Sequence, residues 1–205
     1  MPMAAAEALP PSKPPLTLDL DGVLAQPPLG WNVALSRRLD LPPPPATVRR
    51  VAVTTRGQRR YWLLRAGLEL LRYSGRRPRP GVQAALADLA QVRTLGVLSG
   101  RCWVVRPLVR RWLERHGLSP YLAALWLNDT PLPSAQFKLW VLQRQGVHEH
   151  VDDDGGTAAY LARHGVTVYL CDWPRNRGLP YPPGVERVRD LREVAWRLRT
   201  AAPAP

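Results

Sequence analysis

The sequence predicts an α/β fold in which a parallel β-sheet is covered by helices on both faces. Short apolar runs, typical of buried strands, alternate with segments of helical periodicity over the second half of the chain. A chain of 205 residues suits one compact domain with a small insertion and is too short for two domains of ordinary size. Hydrophobic residues make up 45% and charged residues 22%, which excludes collagen, coiled coil and disorder over the whole length.

The first predicted strand is the apolar run Leu16–Leu20, which ends at a turn. Prolines are frequent in Gln26–Pro45, so this segment can form neither an ordinary helix nor a central strand. Two β-rich runs, Val48–Thr54 and Gln58–Leu64, predict a hairpin. Tyr61–Tyr73 also has the pattern of an amphipathic helix, and both interpretations remain open at this point.

The alternation of strands and helices is regular after residue 81. The predicted strands are Thr94–Leu98, Ala123–Leu127, His148–Val151 and Val166–Cys171. The predicted helices are Val82–Gln91, a segment that follows Ser99-Gly100-Arg101 and reaches about His116, Ser134–Arg144 with Ser134 as its cap, Thr157–His164 and Val188–Leu198. Ligands of such a sheet bind beyond the carboxyl ends of the strands.

The two ends of the chain, residues 1–15 and 201–205, are rich in Ala and Pro and are expected to be disordered tails. No window approaches the roughly 20 consecutive apolar residues of a membrane-spanning helix. The start of the chain also lacks the pattern of a secretory signal, so a cytoplasmic protein without a membrane partner is expected. Cys102 and Cys171 match no zinc-binding spacing and are expected to be core thiols.

The chain is strongly basic, with a formal net charge of +13. Such a charge favours anionic partners, namely phosphorylated metabolites, nucleic acid or an anionic membrane surface, but it is equally typical of a solvated basic surface. Arginine supplies nearly all of the positive charge, because Lys13 and Lys138 are the only lysines. Lys138 is the one inside the expected fold, and a compact ammonium differs from a planar guanidinium where a single phosphate oxygen must be met in a tight site.

Asp19 and Asp21 stand at the end of the first predicted strand, where alternation would place both carboxyl groups on one side of an extended backbone. One such carboxylate can attack phosphorus as a nucleophile, while its neighbour protonates the leaving oxygen and later activates water. Asp-Gly is also a common turn pair, so these two residues alone leave the chemical and the structural interpretation level.

Three further positions carry the same kind of chemistry. Asp152, Asp153 and Asp154 follow another apolar run, and carboxylates that converge there would need a hard cation such as Mg²⁺. Ser99 with Gly100 offers a hydroxyl and backbone N–H groups to a phosphate oxygen, although a helix cap is the better explanation of Ser99 taken alone. Lys138 would cancel negative charge on a transferring phosphoryl group, or it is a surface lysine on a helix.

The motifs Asp19-x-Asp21-Gly-Val-Leu24, Leu98-Ser99-Gly-Arg101, Lys138 and Val151-Asp152-Asp153 follow one another in this order. They resemble the four ordered motifs of the haloacid dehalogenase superfamily, in which phosphatases predominate. The resemblance covers roughly residues 16–194, and the first motif, L-D-L-D-G-V-L, is the most specific.

This resemblance implies a Rossmann-like three-layer αβα sandwich, with residues 25–79 as a small cap or flap insertion that selects the substrate. It implies Asp19 as nucleophile and Asp21 as general acid and base, and it assigns phosphate binding to Ser99, Gly100 and Lys138. Mg²⁺ would be bound by Asp19, the main-chain carbonyl of Asp21 and an acid among Asp152, Asp153 and Asp154. An acid at the position of Asp21 is typical of the phosphatases and absent from the dehalogenases, so phosphomonoester hydrolysis is expected.

A finer resemblance concerns the substrate. Val168–Asn176 and Val188–Val194 are similar to the closing segment of the 5′(3′)-deoxyribonucleotidase-like branch, which implies a small phosphorylated substrate such as a nucleotide. Trp173-Pro174-Arg175-Asn176 stands where that branch has Pro-Tyr-Asn.

Two alternatives remain open at the level of the sequence. The same chemistry could act on a nucleic-acid end such as a 3′-phosphate, which the +13 charge would attract. The second alternative is a non-catalytic nucleic-acid-binding protein on this fold.

His148 and His150 are interpreted as structural rather than as ligands. Arg101, Arg106, Arg110 and Arg111 are expected to form a solvated basic face on the helix after Ser99.

Overall fold

The computed structural model describes residues 12–27, 40–51 and 75–201, together with the single positions 60, 64 and 67. The described residues form one sheet, whose strands are β1 Pro15–Leu18, β2 Thr94–Cys102, β3 Leu122–Asn128, β4 Glu149–Asp152, β5 Thr167–Cys171 and β6 Val185–Val188. The strand order is β3-β2-β1-β4-β5-β6, and every neighbouring pair is parallel. The expected parallel α/β architecture is confirmed.

Helices cover both faces of the sheet. They are α1 Val82–Val92, α2 Arg106–Arg115, α3 Ser134–Gln145, α4 Gly155–Arg163 and α5 Leu191–Ala201. Leu16 and Leu18 of β1 belong to a hydrophobic cluster with residues of α1, α2 and α5. A second cluster joins α3 and α4 to the sheet through residues such as Val168 and Leu170 of β5. These two cores make the fold a Rossmann-like three-layer αβα sandwich.

The strand order fixes where a ligand can bind. From β1 the chain adds β2 and then β3 on one side, and afterwards adds β4, β5 and β6 on the other side. The order therefore reverses between β1 and β4, where the diverging connections leave a crevice at the carboxyl ends of the strands. The end of β1 at this switch point is followed by Asp19, and β4 ends at Asp152.

The second strand is longer than its apolar run predicts. The sequence predicts that Ser99-Gly100-Arg101 breaks the strand before a helix, but β2 continues through these residues to Cys102 with a shift of register against β3. A 3₁₀ turn, Trp103–Val105, follows, and α2 begins only at Arg106, with a proline in its first turn, where no N–H partner is required. Ser99 is therefore a strand residue, and its interpretation as a helix cap is wrong.

The other departures from the predicted elements lie at element ends. The predicted last helix began at Val188, which is instead the end of the short strand β6, and α5 starts after Asp190, whose Oδ1 accepts from the backbone N–H of Arg192 at 2.9 Å. Ser134 is the first residue of α3 and makes no capping hydrogen bond with its side chain.

The last residues of the predicted N-terminal tail, 13–15, belong to the fold. Lys13 Nζ donates to the carbonyl of Ala90 at 2.6 Å, and the N–H of Thr94 donates to the carbonyl of Pro14 at 3.0 Å. Residues 1–11 and 202–205 lie outside the described residues. Cys171 is buried and Cys102 is half-buried, and the two cysteines form no disulfide.

Most of the predicted insertion, residues 25–79, also lies outside the described residues. Of the predicted hairpin, residues 48–51 have no regular structure, whereas positions 60, 64 and 67 are helical, in keeping with the alternative helix over Tyr61–Tyr73. The two ends of the insertion meet beside β1, since Gln26 N–H donates to the carbonyl of Arg77 at 2.9 Å and Arg79 N–H donates to the carbonyl of Leu24 at 2.8 Å. None of the helices in the described part of the chain is long and apolar enough to span a membrane.

Candidate active site

The carboxyl ends of β1 and β4, together with α3, bring three charged side chains into contact. Lys138 Nζ lies 2.9 Å from Asp19 Oδ1 and 2.8 Å from Asp152 Oδ2. All three side chains are at least nine-tenths buried. Buried charges of this kind are stable only when they are paired, so the buried Lys138 holds two carboxylates together.

The pKa values in this cluster diverge. Burial raises the pKa of Asp19 to about 7, and the charges of Asp152 and Asp21 add to burial, while Lys138 opposes it. Burial alone would raise the pKa of Asp152 too, but Lys138 and the hydrogen bond from His150 hold it well below its ordinary value. Burial would lower the pKa of Lys138, but Asp152 and Asp19 outweigh it and keep the ammonium charged. Asp152 and Lys138 therefore form the fixed ion pair, and Asp19 is the carboxyl group whose charge depends on its surroundings.

Asp152 is held by four donors. Its Oδ1 accepts from the backbone N–H groups of Asp153 at 2.8 Å and Asp154 at 3.0 Å. Its Oδ2 accepts from Lys138 at 2.8 Å and from His150 Nε2 at 3.1 Å. Both oxygens of this carboxylate are thus already engaged within the protein.

Asp153 stands beside the turn that follows β1. Gly22 has a φ of 75°, and a Cβ at this position would overlap Asp153 Oδ2, so the turn needs glycine both for its backbone and for the close approach. Arg175 donates to Asp153 Oδ2 at 2.9 Å. Burial raises the pKa of Asp153 to about 8, with Asp152 and Asp19 adding to the effect and Arg175 opposing it.

The acidic cluster fits a divalent cation. Asp19, Asp152 and Asp153 can offer oxygen atoms that lie within 4.8 Å of one another. Oxygen ligands suit Mg²⁺, and the raised pKa values of Asp19 and Asp153 indicate negative charge that nearby cations do not fully compensate. Asp154 has another role, because its Oδ2 accepts from Thr157 N–H at 2.8 Å and caps α4.

Asp21 is held by arginines. The sequence predicted that alternation would set its carboxylate beside that of Asp19, but β1 ends at Leu18 and the chain turns before Asp21. Arg101 grips the Asp21 carboxylate with Nε and Nη2, the latter at 2.8 Å from Oδ1, and Arg76 Nη1 contacts the same oxygen. Burial would raise the pKa of Asp21, but Arg101 and Arg76 outweigh it and lower the pKa.

Ser99 and Gly100 lie on β2, which is the neighbour of β1 in the sheet. Ser99 is 2% exposed. A Cβ on Gly100 would overlap the side chain of Ser134, so glycine here lets the start of α3 come close to β2. Because Lys138 lies one turn further along α3, this close packing helps to set its position.

Four residues near the site were missed or misinterpreted by sequence reasoning. Arg101 was assigned to a helical face but is a strand residue bound to Asp21, and Arg76 stands 55 residues from Asp21 with no motif around it. His150 was set aside as structural, yet it touches Asp152. Asn176 is fully buried and donates to the carbonyl of Cys171 at 2.8 Å and of Asp153 at 3.3 Å, thereby tying the 3₁₀ turn Pro174–Asn176 to the site.

Solved structures share this architecture over more than nine-tenths of the chain. A D,D-heptose 1,7-bisphosphate phosphatase from B. bronchiseptica, complexed with magnesium and phosphate, aligns over 92% of this chain and 99% of its own, with a TM-score of 0.56 and 17% identity. The chain has the haloacid dehalogenase fold. A subfamily IA hydrolase of that superfamily from Geobacter sulfurreducens aligns over 91% of this chain and 96% of its own, with a TM-score of 0.55 and 17% identity.

The same fold also carries different chemistry. The L-2-haloacid dehalogenase from Xanthobacter autotrophicus, with chloropropionic acid covalently bound, aligns over 93% of this chain and all of its own, with a TM-score of 0.55 and 13% identity. No family profile and no curated protein matches the sequence. At these identities the comparisons establish the fold alone, and the activity depends on the side chains of the site.

Proposed function

We propose that this protein is a Mg²⁺-dependent phosphomonoester hydrolase of the haloacid dehalogenase superfamily, with Asp19 as its nucleophile. The observation that carries the proposal is the buried contact of Lys138 Nζ with both Asp19 and Asp152, at 2.9 and 2.8 Å. This contact joins three of the four sequence motifs at one edge of the sheet. A purely structural lysine would need only one carboxylate partner. Lys138 has two, and a third carboxylate, that of Asp153, lies close to both.

Asp19 and Asp153 are the side chains that would hold Mg²⁺, together with the main-chain carbonyl of Asp21 that the sequence resemblance implies. Asp152 lies within the same cluster, but its two oxygens already accept four hydrogen bonds, so it serves as the anchor of Lys138. Asp154 caps a helix. The cation would neutralise the crowded carboxylates and withdraw charge from the phosphoryl oxygens.

The reaction has two steps. An Asp19 carboxylate oxygen attacks phosphorus in line with the ester oxygen, the P–O ester bond breaks, and the leaving oxygen takes a proton from Asp21. Asp21 then removes a proton from water, which attacks the phosphorus of the aspartyl-phosphate and releases inorganic phosphate and the free Asp19 carboxylate. Lys138 offsets the charge of the transferring group, and Ser99 Oγ with the N–H of Gly100 orients its oxygens.

The state of Asp21 fits the second step. Arg101 and Arg76 keep its carboxylate ionised in the substrate-free protein, and an ionised carboxylate is the form that can accept a proton from water. Aryl phosphates have good leaving groups and make little demand on Asp21 as an acid in the first step. An aryl phosphate is therefore the first substrate to test.

The test is hydrolysis of an aryl phosphate with Mg²⁺ or with chelator. We expect turnover only with Mg²⁺, and a decrease in kcat of about 10⁴-fold or more in Asp19→Asn, as expected when a nucleophile is removed. Asp88→Asn is the matched control, because Asp88 makes only a surface ion pair with Arg199. Retained turnover in Asp19→Asn would refute Asp19 as the nucleophile.

The substrate class is addressed by a panel of nucleotides and 3′-phosphorylated oligonucleotides. The +13 charge favours anionic substrates in general. A much steeper loss of activity with salt on oligonucleotides than on small phosphates would identify nucleic-acid ends as substrates, because each neutralised phosphate adds to the salt dependence. A similar, shallow dependence on both would favour a small molecule such as a nucleotide.

A further inference from the structure

Two polar residues lie in the hydrophobic interior beneath the site. Thr17 of β1 and His150 of β4 are both completely buried and face each other in the strand register. Each precedes a site carboxylate by two positions, Thr17 before Asp19 and His150 before Asp152. Because side chains two apart on a strand share a face, the four residues form two successive polar pairs across β1 and β4.

The hydrogen bonds of the His150 ring place a proton on Nε2. This atom lies 3.1 Å from Asp152 Oδ2, an ionised oxygen that can only accept. On the other side of the ring, Nδ1 lies 2.8 Å from Thr17 Oγ1 and 3.1 Å from the Thr17 carbonyl. Thr17 therefore holds the ring from the side opposite Asp152.

These bonds form a directed chain that ends at Asp19. The Thr17 hydroxyl orients the ring, the ring donates to Asp152 Oδ2, and the same oxygen accepts from Lys138 Nζ, which reaches Asp19 Oδ1 at 2.9 Å. Asp152 Oδ1 is fixed separately by two backbone N–H groups. The rotation of the carboxylate, and with it the place of the Lys138 ammonium, therefore depends on the His150 N–H.

Packing alone gives no reason for this polar pair. Strands buried on both faces of a parallel sheet are normally apolar, and a buried hydroxyl and a buried imidazole each need hydrogen-bond partners that an apolar side chain would not need. Valine has nearly the shape of threonine and would suit β1. The polar pair is explained by the hydrogen bond that His150 Nε2 donates to Asp152 Oδ2.

We propose that His150 and Thr17 are positioning residues, which hold Asp152 and through it keep the Lys138 ammonium against Asp19. The proposal rests on the phosphatase function proposed above. It assigns to the pair an effect on the rate of phosphoryl transfer beyond any effect on the stability of the fold.

Two matched pairs of variants test this role. His150→Leu removes the ring N–H, whereas His150→Gln keeps an N–H near the position of Nε2. Thr17→Val removes the hydroxyl at nearly constant shape, whereas Thr17→Ser keeps it. For each full-length variant, kcat and KM for an aryl phosphate with Mg²⁺ are measured beside the thermal midpoint.

We expect His150→Leu to lower kcat by about 10- to 100-fold, the range known for residues that orient a ligand from behind. KM should change by less than about 3-fold, because the lost positioning acts mainly on the transition state. His150→Gln should recover most of the lost rate. Thr17→Val should lower kcat by about 3- to 10-fold, the value of one hydrogen bond, and should also lower the thermal midpoint, because the buried His150 ring loses a partner, whereas Thr17→Ser should match the wild type in both.

Each contrary result has a definite meaning. Full kcat in folded His150→Leu, or equal losses in His150→Leu and His150→Gln, would overturn the proposal while an active wild type leaves the phosphatase function intact. If His150→Leu fails to fold, the Thr17 pair decides, and Thr17→Val with wild-type kcat overturns the proposal. An inactive wild type would overturn the proposed function, and this proposal with it.

Discussion

The end of β1 and the turn after it place two carboxylates close together in the chain but in opposite electrostatic environments. Asp19 is almost fully buried and shares a lysine with Asp152, whereas the Asp21 side chain is 29% exposed and is bound by two arginines. Burial raises the pKa of Asp19 to about 7. The arginines outweigh burial at Asp21 and lower its pKa.

This contrast shows how one sequence motif can supply two chemical roles. The compact ammonium of Lys138 fits between two buried carboxylates, and its charge is divided between them. The planar guanidinium of Arg101 binds one carboxylate with two N–H groups and fixes its plane. In the first arrangement the negative charge of Asp19 is only partly neutralised, so Asp19 can attack phosphorus or bind a cation. In the second arrangement Asp21 stays ionised and can accept a proton.

The largest effect is expected from removing the cation on the Asp19 side. Lys138→Met should lower the free energy of unfolding by about 3–5 kcal/mol at pH 8, measured by urea titration, because it leaves two buried carboxylates without their partner. The deficit should shrink at pH 5, where the carboxylates take up protons. Lys13→Met is the control, since Lys13 makes one exposed hydrogen bond and should cost less than about 1.5 kcal/mol. Equal stability of both variants would contradict the importance of the buried ion pair.

A second substitution pair separates the acids of the Asp152–Asp154 run. Asp153→Asn should abolish the rise in thermal midpoint on adding Mg²⁺ and lower kcat/KM by at least about 10-fold, because it removes a proposed ligand. Asp154→Asn should keep both properties, since asparagine caps a helix about as well as aspartate. A normal Mg²⁺ response in Asp153→Asn would contradict Asp153 as a ligand and would assign the cation to Asp152.

The raised pKa values on the Asp19 side predict a dependence of stability on pH. The pKa values of Asp19 and Asp153, about 7 and 8, lie above their ordinary value, so the folded protein binds more protons than the unfolded chain. Their contribution to stability is complete below the ordinary pKa of a carboxyl group, about 4, and is lost as the pH rises to 7 and 8. In chelator, the free energy of unfolding should therefore fall by about 4 kcal/mol between pH 6 and 9. Mg²⁺ should reduce this fall, and a rise in stability over the same interval would contradict the assignment.

The smallest effect is expected on the Asp21 side. Arg101→Gln should raise the pKa of Asp21, because it removes the two-pronged contact, and should shift the acid limb of the kcat profile to higher pH. We expect a loss of kcat of about 10-fold, below the full contribution of an acid–base residue. Arg111, an exposed residue of α2, is the control, and Arg111→Gln should leave the profile unchanged. An unshifted acid limb in Arg101→Gln would break the contrast between the two carboxylates.

The order of the motifs predicts which residues meet in the candidate site, and the structure brings Asp19, Lys138 and Asp152 into contact. Asp19, Ser99 and Asp152 each follow or end an apolar run, and a parallel sheet brings such strand ends to one edge. Their contact through Lys138 follows from the helix that packs on the same face. The residues that act from outside the motifs are different, because Arg76 approaches Asp21 across 55 positions of sequence and has no local pattern to mark it.

Misinterpreted elements have local causes. Ser99-Gly100-Arg101 has the composition of a turn, but pairing with β3 keeps it extended. Val185–Val188 has only four residues, with two exposed in the middle, so it lacks an apolar run, and tertiary pairing with β5 alone makes it a strand. His150 fitted the general expectation for a buried histidine, and only its distance to Asp152 reveals a partner in the site.

Trapping the covalent intermediate tests the role of Asp19 most directly. Asp21→Asn should slow hydrolysis of the aspartyl-phosphate, while an aryl phosphate needs little proton donation in the first step. Acid quenching during turnover, followed by borohydride reduction and peptide mass spectrometry, should then show homoserine at position 19, in proportion to a burst of released phenol. A burst with the modification at another residue, or with none at position 19, would contradict Asp19 as the nucleophile.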